Sequence, residues 1–538
     1  MTWIYPLSAE TEQPASVLGG KAHGLVVLRR LGLPVPPGFV IGTAACRAFL
    51  RDGRPPDGLA AELAAAVADL EAATRRRLGD PDRPLAVSVR SGACVSMPGM
   101  MNTVLNLGLT AEATAGLAAE TGDPSFALDA RLRFLSGFAA VAIGLAPESL
   151  EALVRREIEH ADGEVAGLLA AIRGVENLIR ARTGEPVPDD ATRQLDLAVT
   201  AVFSSWHTPR ATTYRRLHGI PHELGTAVTV QAMVFGNRDD RSGTGVAFSR
   251  DPNTGARGPF GEVVFGGQGG DVVSGRSPTR PLSELAEREP AVWAGLLDAL
   301  GRVEGHYRDA CHVEFTFEAG ELWLLQVRSG GLAGRAAVRV AVDLADEGVL
   351  DRREALLRVS PAQLRHARTP RLVNPDAADL LARGVGASPG VAVGRVATTA
   401  DAAVRMAAEG PVILVRPHTS PLDLHGLAAA EGVVTALGGP TSHAAVVARA
   451  LGKPAVVGAS GLTVATGSVL AGGRVIREGT LIAIDGTSGH VVLGNPRIAS
   501  AGTDPRLRRL LDWADEASGD GSDRADAERL DAAHAALR

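Results

Sequence analysis

The sequence predicts a multidomain chain of mixed α/β and α+β class, and three observations carry that expectation. Its 538 residues are enough for three or four domains, each with its own core. Helical and extended stretches alternate through residues 1–200, after which the texture turns β-rich as far as 334. From 385 to 496 short apolar strands and helices alternate again, with glycines at the joints.

The elements follow in order. The stretch "KAHGLVVLRRLGL" reads as a helix from Lys21 that ends near Gly32, and the prolines of "PVPPGFVIG" hold the exit extended. "DGLAAELAAAVADLEAATRRRLGD" has helical spacing, and "PLAVSVRSG" reads as a strand feeding a glycine-containing loop. "TAVTVQAMVFG", "GTGVAFSRDP", "GEVVFGG", "CHVEFTFEAG" and "ELWLLQVRSG" read as strands, the last two joined in a hairpin across Glu318–Glu321. Five segments result. Residues 1–200 and 201–334 form two adjoining parts of one region, 335–384 a helical connector, 385–496 a compact α/β unit, and 497–538 a linker-like helical and acidic tail.

Composition narrows the function classes. A 45% hydrophobic content with mixed charge describes a globular chain, and a net charge of −6 gives no basis for a nucleic-acid or anionic-membrane partner. The N-terminus lacks the basic and apolar regions of a secretory signal, and no apolar run reaches the roughly 20 residues of a membrane span. Cys46, Cys94 and Cys311 are widely spaced and fit no metal-ligand pattern, so the expected home is the cytoplasm.

"GGPTSHAAVVARAL" places His443 at the start of an alanine-rich helix. There the helix dipole disfavours the imidazolium by about 0.3–1 kcal/mol, which keeps the ring neutral and nucleophilic. Free helix N–H groups would also stabilise an attached phosphoryl group. Thr441 and Ser442 precede the histidine and are expected to cap the helix.

Only two of the 55 basic residues are lysines, Lys21 and Lys453. Lys21 follows Gly19 and Gly20 at a helix start, a phosphate-binding arrangement that is not a Walker A loop. Arg90 ends a strand, where its guanidinium is suited to phosphate oxygens. The loop from Ser96 to Met101, with Gly99, is suited to closing over a nucleotide. Gln326 and Arg328 share a strand face, and Glu314 is placed to join them across the hairpin. One carboxylate with one amide oxygen suits Mg²⁺, and Arg328 suits the charge that develops in phosphoryl transfer.

The run Gly438, Gly439, Pro440, Thr441, Ser442, His443, continuing to Arg449, closely resembles the phosphohistidine signature of the phosphoenolpyruvate-utilising enzymes. "SVRSGACVSMPGMMNTVLNLG", "VEFTFEAGELWLLQVR" and "VQAMVFGNRDDRSGTGVAFSRDPNTG" resemble the nucleotide domain of the pyruvate phosphate dikinases among them. The resemblance implies an ATP-grasp domain followed by a swivelling phosphohistidine domain, with ATP and Mg²⁺ as cofactors. It implies Lys21 and Arg90 as phosphate ligands, Glu314, Gln326 and Arg328 as the metal- and phosphate-contacting set, and Gln231 and Met233 as walls of the adenine pocket. It makes His443 the phosphate carrier and Thr441 the position phosphorylated for regulation in some relatives.

Two departures stand out. The family's Asp-Ile-Glu is His312-Val313-Glu314 here, and its Gln-Gly-Glu-Asp is Gln268-Gly269-Gly270-Asp271. Both lose an acid near the expected nucleotide, which puts nucleotide handling in question.

The resemblance also implies a half-reaction in which ATP and phosphate give AMP, pyrophosphate and phosphohistidine. The 40 or so residues after the α/β unit are too few for the acceptor-binding (β/α)8 barrel of the family, which takes about 250. The expectation is a separate barrel protein that binds pyruvate or phosphoenolpyruvate. The alternatives are a stand-alone phosphotransferase for another small molecule and a non-catalytic nucleotide-binding regulatory module.

Overall fold

The computed structural model describes residues 2–95, 97, 101, 103–217, 219–273, 279–373, 379–499 and 504–538. It divides into two compact units, residues 1–238 with Trp323–Gln326, and residues 239–322 with 327–538.

The first unit is built on a five-stranded antiparallel sheet, ordered Ile4–Pro6, Gly38–Ile41, Ala227–Ala232, Val87–Gly92, Thr103–Leu107. Phe39, Val89, Val104 and Val230 from these strands bury themselves against Phe134, Phe138, Ile172 and Val199 of the helices. The strand Ala227–Ala232 therefore belongs to the first sheet, because only there do its apolar residues find partners on both sides. The expected boundary at 200/201 accordingly falls some forty residues later, at 238.

In the second unit another five-stranded sheet runs Arg280–Pro281, Arg257–Phe265, Gly243–Arg250, Cys311–Glu318, Glu321–Ser329. The hairpin joining its last two strands turns through Ala319 and Gly320, both at positive φ (50° and 81°), the left-handed pair that a two-residue turn requires.

An eight-stranded sheet follows, and its centre is a parallel set, Val391–Ala397, Val412–Arg416, Gly432–Thr435, Ala455–Val457. Continuous apolar runs such as Val412–Val415, buried along their whole length, are what a sheet covered on both faces demands. The helix His443–Leu451 leaves the carboxyl end of the strand Gly432–Thr435, where open α/β sheets place their ligands.

The tail, expected to be linker-like, packs back onto the connector. Its helices Pro505–Ser518 and Asp526–Leu537 close a helical core with the connector helices Gly334–Asp346, Arg352–Arg358 and Pro361–Arg365. Leu507, Leu510, Leu511, Trp513 and Leu530 are buried against Val338, Val342, Leu356 and Leu364. An acidic, charged surface masks this apolar stripe when the tail is read residue by residue. Leu510 has no exposed surface, so Leu510→Ala is expected to cost about 2–5 kcal/mol in chemical denaturation, whereas a linker position would move by less than about 0.5 kcal/mol.

Candidate functional site

Lys21 lies within the helix Ala15–Arg30, one residue after a break in its helical geometry. Gly19 leaves the helical conformation at φ 74°, ψ 157°. The break lets the backbone meet the end of the strand Val87–Gly92. The Gly20 N–H donates to the Ala93 carbonyl at 3.0 Å, and a Cβ at residue 19 would sit 1.8 Å from the Gly92 oxygen. The glycines before Lys21 thus serve close packing against the loop at 92–94, which fixes the base of the lysine.

Arg90 sits on that same strand. Its Nη1 donates to the Leu325 carbonyl at 2.9 Å, and its Nη2 is 3.5 Å from the Gln326 Oε1. Gln326 is buried, and its Nε2 has no hydrogen-bond partner. A buried amide left half-paired beside an arginine carries a cost that a bound ligand can relieve. Gln231 is equally buried, but its amide donates to the Pro36 carbonyl at 3.0 Å. Met233 packs with Phe235 beside the buried Phe126 and Leu117. Gly99 lies outside the described residues.

In the second unit, Glu314 and Arg328 stand on the two strands of the hairpin with His312. The His312 ring faces Phe248, its partner across the strands, at 5.0 Å. Burial holds the His312 pKa down to about 4, helped by the Arg328 and Arg449 charges and opposed by Glu314. At this position the chain has a neutral ring whose Nδ1 is buried without a partner. At the other altered position nothing approaches a Cβ built on Gly270 within 4 Å, so crowding does not explain the lost acid. Among the described residues no group of three or more His, Cys, Asp or Glu is placed to hold a metal ion. The unpaired Gln326 Nε2 is a donor, suited to a phosphate oxygen rather than to a metal.

His443 is the first residue of its helix, with Ser442 as N-cap residue. No side chain caps this helix, contrary to the expectation for Thr441 and Ser442. The Ser442 hydroxyl is buried without a partner. Thr441 is diverted elsewhere, since Glu262 accepts from its backbone N–H at 2.7 Å and from its hydroxyl at 2.8 Å. Glu262, on the strand Arg257–Phe265, also accepts from the Thr279 hydroxyl at 2.5 Å. Its approach depends on Gly439, where a Cβ would lie 1.7 Å from the carboxylate. A second tie joins the Asn253 amide to the Gly386 carbonyl at 3.0 Å, and a third sets the Arg449 guanidinium 5.9 Å above the Phe248 ring. Arg449 also donates to the Ala387 carbonyl at 2.8 Å, and burial lowers its pKa to about 10.

The His443 ring is oriented by one bond, 3.2 Å between Nδ1 and the Thr419 hydroxyl. Thr419 lies three residues beyond the neighbouring parallel strand Val412–Arg416, so the sheet itself brings the two loops together. Nε2 has no partner. Burial lowers the His443 pKa, and the nearby Asp423 opposes that shift only in part. The result is a neutral imidazole with one nitrogen held and the other bare, beside an uncapped helix end. That is the chemistry of a nucleophile whose adduct would be an anion. Thr419 and Glu262 carry no signal in the sequence, because each meets its partner across a long stretch of chain.

This combination defines the class, a nucleotide-binding domain of ATP-grasp type coupled to a mobile phosphohistidine domain. Residues 55–294 match the family "Pyruvate phosphate dikinase, AMP/ATP-binding domain", and residues 408–489 match "PEP-utilising enzyme, mobile domain". The chain is 41% identical to the pyruvate, phosphate dikinase of Rhizobium meliloti (strain 1021) over 95% of its own length and 60% of that protein. It is 43% identical to pyruvate, phosphate dikinase 2 of Zea mays over 93% of its length and 58% of that protein. The chain is thus similar to the pyruvate, phosphate dikinases in their nucleotide-binding and mobile domains and spans about three fifths of the length of these relatives. No helix among the described residues is long and apolar enough to cross a membrane.

Two outcomes check the geometry. Histidine NMR of the intact protein should show His443 titrating below the ordinary 6.5, since the folded ring resists protonation as pH falls; a midpoint at or above 6.5 would contradict the burial argument. Thr441→Val should cost about 1–3 kcal/mol through loss of the hydroxyl bond to the Glu262 carboxylate, which keeps the backbone N–H and Thr279 as donors, with the helix intact by circular dichroism.

Proposed function

We propose that this chain loads a phosphoryl group from ATP onto Nε2 of His443. The observation that carries the reading is the bare Nε2 of a neutral ring at an uncapped helix start. In the reaction, Nε2 attacks the β-phosphorus of ATP, and the bond between that phosphorus and the AMP oxygen breaks. The γ group passes to inorganic phosphate as pyrophosphate. AMP departs, and the β-phosphoryl group remains on the ring.

Thr419 holds the opposite nitrogen, so the ring presents Nε2 in a single orientation and the developing imidazolium charge sits against the hydroxyl oxygen. The free N–H groups of the helix Ala444 onward would accept the new anion's oxygens. Lys21 and Arg90 are assigned to the nucleotide phosphates, and Arg328 to the transferring group. Glu314 and Gln326 would hold Mg²⁺, which when bound neutralises charge on the phosphate oxygens. Thr441 is a regulatory position on this reading only through its bond to Glu262, because a phosphate on that hydroxyl would confront the carboxylate.

The relatives are named for pyruvate and phosphate, and we assign the same acceptor pair to this chain. The pyruvate or phosphoenolpyruvate site is assigned to a barrel outside residues 1–538, on the same or another polypeptide, and the compartment to the cytoplasm.

Intact-protein mass spectrometry with ATP, Mg²⁺ and phosphate should show an acid-labile phosphoryl adduct with matching AMP release. His443→Asn should show none, and Thr419→Val should load about ten- to a hundred-fold more slowly through loss of ring orientation. An adduct that persists in His443→Asn would refute the assignment.

A further inference from the structure

The first unit holds a second concavity that phosphoryl transfer leaves unused. A groove of about 730 Å³ runs between the edge strand Ile4–Pro6, the strand Gly38–Ile41 and the helix Leu59–Thr74. It shares no lining residue with Lys21, Arg90, Gln231, Met233 or Gln326. Leu7, Phe39 and Leu70, all nearly inaccessible, form an apolar wall, and Ser8, Glu10 and Asp69 lie along it.

Arg29 also lines this groove. Its Nε is buried without a hydrogen-bond partner, and burial alone lowers its pKa. The contrast with the next residue is direct, since Arg30 donates to the carbonyls of Ala9 and Thr11. Two of the three acids in the lining are occupied elsewhere. Glu62 accepts from the backbone N–H groups of Trp3 and Ile4, at 2.8 and 2.9 Å, and Glu10 is engaged with Ser8 and its own backbone N–H. A half-buried guanidinium whose Nε lacks a partner and that no carboxylate on its own chain meets carries a cost with little offset in the fold. Groups held at such a cost are characteristic of binding sites.

We propose that this groove binds a small organic anion, with a carboxylate or phosphate head on Arg29 and an apolar body against Leu7, Phe39 and Leu70. The site is independent of the His443 reading, and its test does not use phosphoryl transfer.

Benzoate and phenyl phosphate serve as probes of the two head groups, titrated calorimetrically into the full chain, Arg29→Met and Ala66→Trp. The first variant removes the cation, and the second fills the groove while leaving Arg29 in place. At least one probe should bind the unaltered chain one to one at millimolar concentration and about ten-fold more weakly to each variant. Arg29→Met without ligand should melt no lower than the unaltered protein, because it loses an uncompensated charge. Three results would each overturn the proposal. They are no saturable binding of either probe, equal binding by all three proteins as expected of the nucleotide site, and a lowered melting point of Arg29→Met that marks the arginine as structural.

Discussion

The grip of Glu262 on Thr441 is the contact on which the arrangement around His443 depends. A carboxylate buried to 4% exposure must be met by donors, and Thr441 supplies two of them. Because the threonine is held there, it is withheld from the helix that follows, whose first N–H groups stay free of any side chain. The same contact fixes the approach of the loop at 438–442, which only a glycine at 439 permits. One acid thus couples the docking of the phosphohistidine domain to the state of its helix end. A helix of nine residues gains little by itself, so its place at the carboxyl end of the parallel strands must come from the buried Ala444, Ala445, Val447 and Ala448.

The chemistry at His443 follows from two unequal nitrogens. Thr419 occupies Nδ1, and Nε2 is left without a partner in a region where an unpaired polar atom is costly. Such a cost is tolerated where a ligand or an adduct removes it. The same logic applies to the Gln326 amide in the first unit. The neutral His312 lies among Phe248, Arg449 and Arg328.

The local features of this molecule were legible in its residues, and the long-range ones were not. The strand–turn–strand at 311–329 could be read from alternation and an Ala-Gly turn, and the helix at His443 from its small apolar face. The strand at 227–232 was legible as a strand, but not its sheet, because the neighbour that completes its packing is more than a hundred residues earlier, at Val87–Gly92. The tail read as a linker because its partners Val338 and Leu356 lie some 150 residues upstream. Thr441 and Ser442 have the right chemistry for a cap, and propensity alone could not show that Glu262, 179 residues away, claims one of them. In each case a contact distant in sequence overrode a sound local preference.

The most direct test of the account is the position of the phosphoryl group on the ring. In a phosphoenzyme labelled with ¹⁵N histidine, phosphorus–nitrogen coupling should identify Nε2 of His443, with Nδ1 still bonded to Thr419. Coupling to Nδ1, or a phosphoryl group on any other residue, would contradict the account.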